Sequence, residues 1–285
     1  MTGVKKELCG GDMTKGWVSL KSRGIAISTF LVFCPSRADQ GARRERDASE
    51  TGALRRLHHR GVLWEGGWGA ALAHHFSRKA DVVLRGYSGY NTRWALKVVG
   101  RAMEGVCPDG VAPPAAAIVF FGANDASLPD RYCSFQHVPL PEYQSNLRGI
   151  CAYLRERWSS TVIILITPPA IDEDGRLRDT CGDNSSGLPE RTNESAGAYA
   201  KACVAVADEL GLPVIDIWSK MLQFPDWEKS FLRDGLHFTA SGNSVLFEEV
   251  VKKLGDEGLS LEALPVDLPQ FRDMDPNDPL KSLRD

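Results

Sequence analysis

From Trp64 onward, short β-branched or aromatic runs alternate with segments whose apolar residues recur at helical spacing, and this alternation restricts the chain to very few architectures. Asp81–Arg85 (DVVLR), Ala116–Phe121, Thr161–Thr167 (TVIILIT) and Pro213–Ile217 (PVIDI) read as buried strands bounded by Gly or Pro. Between them, Tyr143, Leu147, Ile150, Cys151, Leu154 and Trp158 fall on one face of a helix. Tyr199, Cys203, Val206, Ala207 and Leu210 repeat the pattern before Gly211 and Pro213 stop it, and a last helix starts near Ser241. Strand alternating with helix implies parallel strands covered by helices on both faces, hence a three-layer α/β/α domain.

The remainder of the chain divides around that pattern. Residues 1–63 are expected to be irregular and largely disordered, 64–255 to form the domain, and 256–285, with Pro265, Pro269, Pro276 and Pro279, to be an extended tail. Arg37–Arg60 holds seven arginines, but Asp39, Glu45, Asp47 and Glu50 are mixed in and no aromatic residue is interleaved. With a net charge of −3, this gives no case for nucleic acid as a partner. Seven cysteines are scattered without a C-x-x-C pair, which argues against a zinc or thioredoxin-like site and suits reduced thiols in the cytoplasm. The apolar run Gly24–Ser36 is shorter than the roughly 20 residues a membrane span needs. Following Lys21 and Arg23, it could also mimic a signal-peptide core, so secretion is the alternative compartment.

In an open parallel sheet, chemistry gathers at the carboxyl ends of strands. DVVLR runs into Gly86-Tyr87-Ser88-Gly89-Tyr90-Asn91-Thr92, and the next strand into Gly122-Ala123-Asn124-Asp125. A glycine N–H and an asparagine amide at such exits can donate to an oxyanion, though Gly-Asn-Asp is also an ordinary turn. Asp234-Gly235-Leu236-His237 places a carboxylate three residues before an imidazole, where it can fix the tautomer and stabilise the imidazolium. His58, His59, His74, His75 and His137 lack this arrangement and are expected on the surface or in packing. No G-x-S-x-G, P-loop or H-E-x-x-H is present, Gly67–Leu72 is an imperfect G-x-G-x-x-G that follows no strand, and no metal or cofactor is expected. Trp68, Tyr87, Tyr90 and Trp94 are candidates for a pocket lining or for packing.

Taken together, EGGWGAAL (65–72), SRKADVVLRGYSGYNTRWAL (77–96), FFGANDA (120–126) and DGLHFTASGN (234–243) resemble the SGNH, or GDSL, hydrolases, in particular the plant-type isoamyl acetate-hydrolysing esterase group. The resemblance covers about residues 64–254 and implies a flavodoxin-like fold with a parallel sheet. It also implies that Gly89 and Asn124 form the oxyanion hole, that His237 is the general base and that Asp234 orients it. The implied activity is hydrolysis of small, acetate-like carboxylic esters through a serine acyl-enzyme, a lipid-metabolism type of reaction on a small-molecule substrate.

The chain departs from the family at its first block. No G-D-S occurs, so the first strand and its serine are missing or replaced. Thr29–Ser36 (TFLVFCPS) offers Ser36 as a stand-in nucleophile, with Cys34-Pro35 where Gly-Asp would be, and residues 25–33 offer a stand-in strand between the second and third. Either a different N-terminus replaced the block or an insertion split it. The alternative function is therefore a non-catalytic module that binds esters or acetyl groups. A nucleotide-binding α/β protein is disfavoured by the lack of a phosphate-cradling loop.

Overall fold

The computed structural model describes residues 28–35, 66–107, 112–178, 184, 186–266 and 268–283. Five strands form one sheet: β1 (Thr29–Pro35), β2 (Ala80–Gly86), β3 (Ala116–Phe120), β4 (Val162–Ile166) and β5 (Val214–Ile215), in spatial order β2-β1-β3-β4-β5. The helices are α1 (Trp68–His75), α2 (Thr92–Ala102), α3 (Leu140–Arg157), α4 (Glu173–Arg178), α5 (Asn193–Leu210), α6 (Ile217–Met221), α7 (Trp227–Phe231) and α8 (Ala240–Asp256). All four strands expected from the apolar runs are present, as are the three helices expected from periodicity.

One strand departs from the expected parallel order. β1 occupies the place between the second and third strands but runs antiparallel to both, pairing Thr29 with Gly86 and Phe120, and Phe33 with Val82 and Ala116. The other four strands point one way, with β3, β4 and β5 pairing in parallel. The sheet is therefore mixed. β1 lies within the stretch expected to be irregular, and its composition explains why it can be recruited: Phe30, Leu31, Val32 and Phe33 are all at most 2% exposed. Leu31 and Phe33 enter the core beneath α1 and α8, whereas Phe30 and Val32 enter the one beneath α2, α3 and α5. A strand that is apolar on both faces fits either polarity of neighbour, because no polar face forbids a reversal.

The helices are held by local chemistry at their ends. Asn91 caps α2 by accepting from the Trp94 N–H, Thr192 caps α5 through Ser195, and Thr239 caps α8 through Gly242. The tail after α8 makes short turns rather than running fully extended. It returns to the domain where the Lys79 ammonium donates to the Leu264 carbonyl and the Arg78 guanidinium to the carbonyls of Leu268 and Pro269.

If β1 is an interior strand, Leu31→Ala must open a cavity in the core. We expect it to lower the unfolding free energy by about 3 kcal/mol in urea titrations. An unchanged midpoint would take β1 out of the sheet.

Candidate active site

The carboxyl ends of β2 and β3 form one rim. β3 leaves the sheet through Phe121 and Gly122, the latter at φ +128, where an added Cβ would lie 2.9 Å from the Tyr143 hydroxyl and 3.1 Å from Pro168. Only glycine fits there, and the bend delivers Asn124 and Asp125 into buried positions. Asn124 is fully engaged. Its Nδ2 donates to Ser28 Oγ and to the Tyr90 carbonyl, both at 2.8 Å. Its Oδ1 accepts from Arg191 at 3.1 Å and from Gln136 Nε2 at 3.3 Å. The same Gln136 Nε2 donates to the Gly89 carbonyl at 2.8 Å, so the two residues expected to bind an oxyanion are tied through one amide. The Gly89 N–H has no partner among the described residues.

Because β1 is reversed, its amino end reaches this rim. Ser28 donates its hydroxyl proton to the Tyr90 carbonyl at 2.5 Å and accepts from Asn124. Ser36 lies outside the described residues. Pro35, the last described residue before it, pairs with Ala80 at the start of β2, the opposite end of a strand about 20 Å long.

The turn Asp234–His237 holds the second group of candidate residues. Gly235, at φ +80, packs so closely on the neighbouring backbone that a Cβ would fall 2.2 Å from the Asp172 carbonyl oxygen. The Asp234 carboxylate accepts the backbone N–H groups of Leu236 and His237, and its Oδ2 lies 2.6 Å from His237 Nδ1. Burial alone would raise the Asp234 pKa, but His237 and Arg176 outweigh it and hold the carboxyl far below its ordinary range. For His237 burial is the larger influence, and it pulls the imidazole below its ordinary value against the attraction of Asp234. At neutral pH the ring is therefore neutral. With Nδ1 bound to the carboxylate as donor, Nε2 is left as a proton acceptor without a partner among the described residues.

A buried chain of charges joins the two groups. Arg191 donates to the Ala123 carbonyl at 2.7 Å, to Gln136 Oε1 at 2.8 Å and to Glu190 at 2.8 Å, besides its bond to Asn124. Glu190 also receives Arg176 at 2.7 Å, and Arg176 donates to the Asp234 carbonyl at 3.0 Å and lies 3.7 Å from its carboxylate. Two guanidiniums thus face two carboxylates, which meets the requirement that buried charge be paired. Arg176, Glu190, Arg191, Gln136 and Ser28 were not anticipated from the sequence. Four of them sit in loops or a short helix without periodicity, and only Ser28, inside the apolar run Gly24–Ser36, carried a signal that weighing both strand directions would have exposed.

Of the candidate aromatics, Trp68 is core, packed edge-on against Phe120. Tyr87, Tyr90, Trp94 and the exposed Phe135 form a row of ring contacts beside Gly89. His137 is bound to the Ser127 carbonyl. Among the described residues no group of three His, Cys, Asp or Glu side chains is arranged to hold a metal ion, and no helix is long and apolar enough to cross a membrane.

A mixed sheet lies between helices, and the buried Arg191–Glu190–Arg176 chain links Asn124 at its rim to the turn that holds Asp234 and His237. The GDSL-like Lipase/Acylhydrolase family matches residues 49–250, and the chain belongs to this family of GDSL, or SGNH, esterases and hydrolases. It is 62% identical to a GDSL esterase/lipase of Arabidopsis thaliana over 76% of this chain and 90% of that one. It is 40% identical to the isoamyl acetate-hydrolyzing esterase 1 homolog of Rattus norvegicus over 77% of this chain and 85% of that one. Among solved structures, a catalytic mutant of Axe2, an acetylxylan esterase from Geobacillus stearothermophilus, matches with a TM-score of 0.50 at 18% identity. That match covers 68% of this chain and 83% of that one, a likeness of fold.

Asp125 provides a pH test of the rim. Burial pushes its carboxyl up to about 6 against the bonds donated by Thr92, and its Oδ2 has no partner among the described residues. A carboxyl with a higher pKa folded than unfolded favours the fold below its unfolded value, and that contribution is lost as pH rises through about 6. Asp125→Asn keeps the acceptor for Thr92 and cannot ionise. Relative to the parent, the variant should gain about 3 kcal/mol of unfolding free energy between pH ~4 and ~7. Equal pH slopes in urea titrations of the two proteins would show that Asp125 is not held in this way.

Proposed function

We propose that this chain hydrolyses small carboxylic esters, acetates foremost, with Ser28 in place of the missing G-D-S serine. The observation that carries this reading is the 2.8 Å contact between Ser28 Oγ and the Asn124 amide, which puts a hydroxyl beside the group that would receive the oxyanion. In the proposed reaction Ser28 Oγ attacks the ester carbonyl, its proton passes to His237 Nε2, and the Gly89 N–H and Asn124 Nδ2 hold the developing negative charge. The imidazolium, steadied by Asp234, gives that proton to the departing alcohol, and His237 then activates water against the acyl-enzyme. For this, the Ser28 hydroxyl must turn from the Tyr90 carbonyl towards His237, and the Asn124 Nδ2 hydrogen bond that it accepted must pass to the oxyanion. The relatives' names support an ester substrate, isoamyl acetate being the example among them. The row Tyr90–Trp94–Phe135 offers an apolar wall for it.

A second reading, a non-catalytic module that binds esters or acetyl groups, is favoured by one observation. Ser28 is fully buried, and its hydroxyl is committed to Asn124 and Tyr90.

The two are separated by p-nitrophenyl acetate hydrolysis and fluorophosphonate labelling of the full chain. Catalysis at Ser28 predicts a label on that residue and a loss in kcat/KM of at least ~10³-fold in both Ser28→Ala and His237→Ala. Asn124→Ala should lose ~10²-fold or more. Activity should rise with pH through a value below the ordinary imidazole pKa and then level, because His237 works neutral. A label on Ser36 would restore that residue as nucleophile. Absence of label and turnover, with acetate esters still perturbing the His237 resonances, would establish the binding module.

A further inference from the structure

Away from the active rim, Cys34 near the end of β1 meets Cys107 in the loop that follows α2, with their sulfurs 2.9 Å apart across 73 residues of chain. Neither thiol is in a disulfide, and both are only partly covered, so a small oxidant can reach them. Cys107 is held at φ +46, a left-handed conformation that a side-chain-bearing residue rarely adopts. Cys34 is fixed just as firmly, since its strand pairs on both sides and its backbone stands opposite Asp81.

We propose that Cys34 and Cys107 are a reversible disulfide site, a staple that locks the reversed strand β1 to the domain under oxidising conditions. The contact has the features such a site needs: two thiols already touching, on segments distant in sequence, one of them in an interior strand. β1 is joined to the rest of the fold through pairing and packing, and the staple adds a covalent tie at the end of the strand remote from Ser28.

The oxidant class is a low-molecular-weight disulfide such as glutathione disulfide. Burial pushes the Cys34 thiol up to about 12, with Cys107 and Asp81 adding to it and Arg85 opposing, so Cys34 is a poor first attacker. Cys107 therefore attacks one sulfur of glutathione disulfide and expels one glutathione thiolate. Cys34 then attacks the Cys107 sulfur of the mixed disulfide and expels the second. The S–S bond of glutathione disulfide breaks, the Cys34–Cys107 bond forms, and the two thiol protons end on two molecules of glutathione.

The test is equilibration of the full chain with mixtures of reduced and oxidised glutathione, followed by alkylation, peptide mapping and thermal melting. A peptide linking residues 34 and 107 is expected, with both sites at least tenfold less alkylated than in the reduced protein. Closing a loop of this length should raise the melting temperature by on the order of 10 °C. Cys107→Ser, which leaves β1 untouched, should melt like the reduced parent and should show no such rise with oxidant. A stable glutathione adduct on either residue, a bond from Cys34 to another cysteine, or a melting temperature that rises equally in Cys107→Ser would overturn the proposal.

Discussion

The backbone ladder on both sides of β1 is the interaction on which the rest of the structure depends. β2 and β3 do not pair with each other; each pairs with β1. Without β1, both would present a row of buried N–H and C=O groups lacking partners, at a cost of ~1–3 kcal/mol for each group left unsatisfied. The four aromatic and aliphatic side chains of Phe30–Phe33 would also be missing from the two cores, leaving voids under α1 and α2. The gap between β2 and β3 is thus filled by a segment that is apolar on both faces and long enough to span it.

Reversal of that strand changes what reaches the site. A parallel strand would deliver its carboxyl end, Cys34-Pro35, to the rim that holds Gly86 and Phe120. The antiparallel one delivers its amino end, so Ser28 stands against Asn124 while Cys34 faces Cys107 at the far side. The remaining parts of the rim do not depend on strand direction. Gly122 is fixed by Tyr143 and Pro168, Gly235 by the Asp172 backbone, and the Arg176–Glu190–Arg191 chain ties both to a common set of buried charges.

Much of this was legible in the sequence, for identifiable reasons. DVVLR and TVIILIT are β-branched runs with clear ends, and the helical faces of α3 and α5 repeat over 18 residues each, long enough for the period to stand out. Asp234 and His237 were legible because their pairing is local, within a single turn. The direction of β1 was not, since a strand buried on both faces has no alternation to orient it. Nor was the charge chain: Arg176, Glu190 and Arg191 look like ordinary solvated residues until the fold brings 58 residues of separation between Arg176 and Asp234 down to one hydrogen bond. α1 was hidden as well, because it opens after Gly67 without a side-chain cap and reads locally as an imperfect glycine motif.

The polarity of β1 is tested most directly by cross-strand nuclear Overhauser contacts in labelled full-length protein. The structure predicts close Hα–Hα contacts at the non-hydrogen-bonded pairs of the antiparallel register, such as Leu31 with Leu84 and Phe30 with Val119, and places Thr29 beside Phe120. Contacts that instead place Cys34 beside Phe120 in a parallel register, or no contacts from residues 29–35 to either neighbour, would contradict the account.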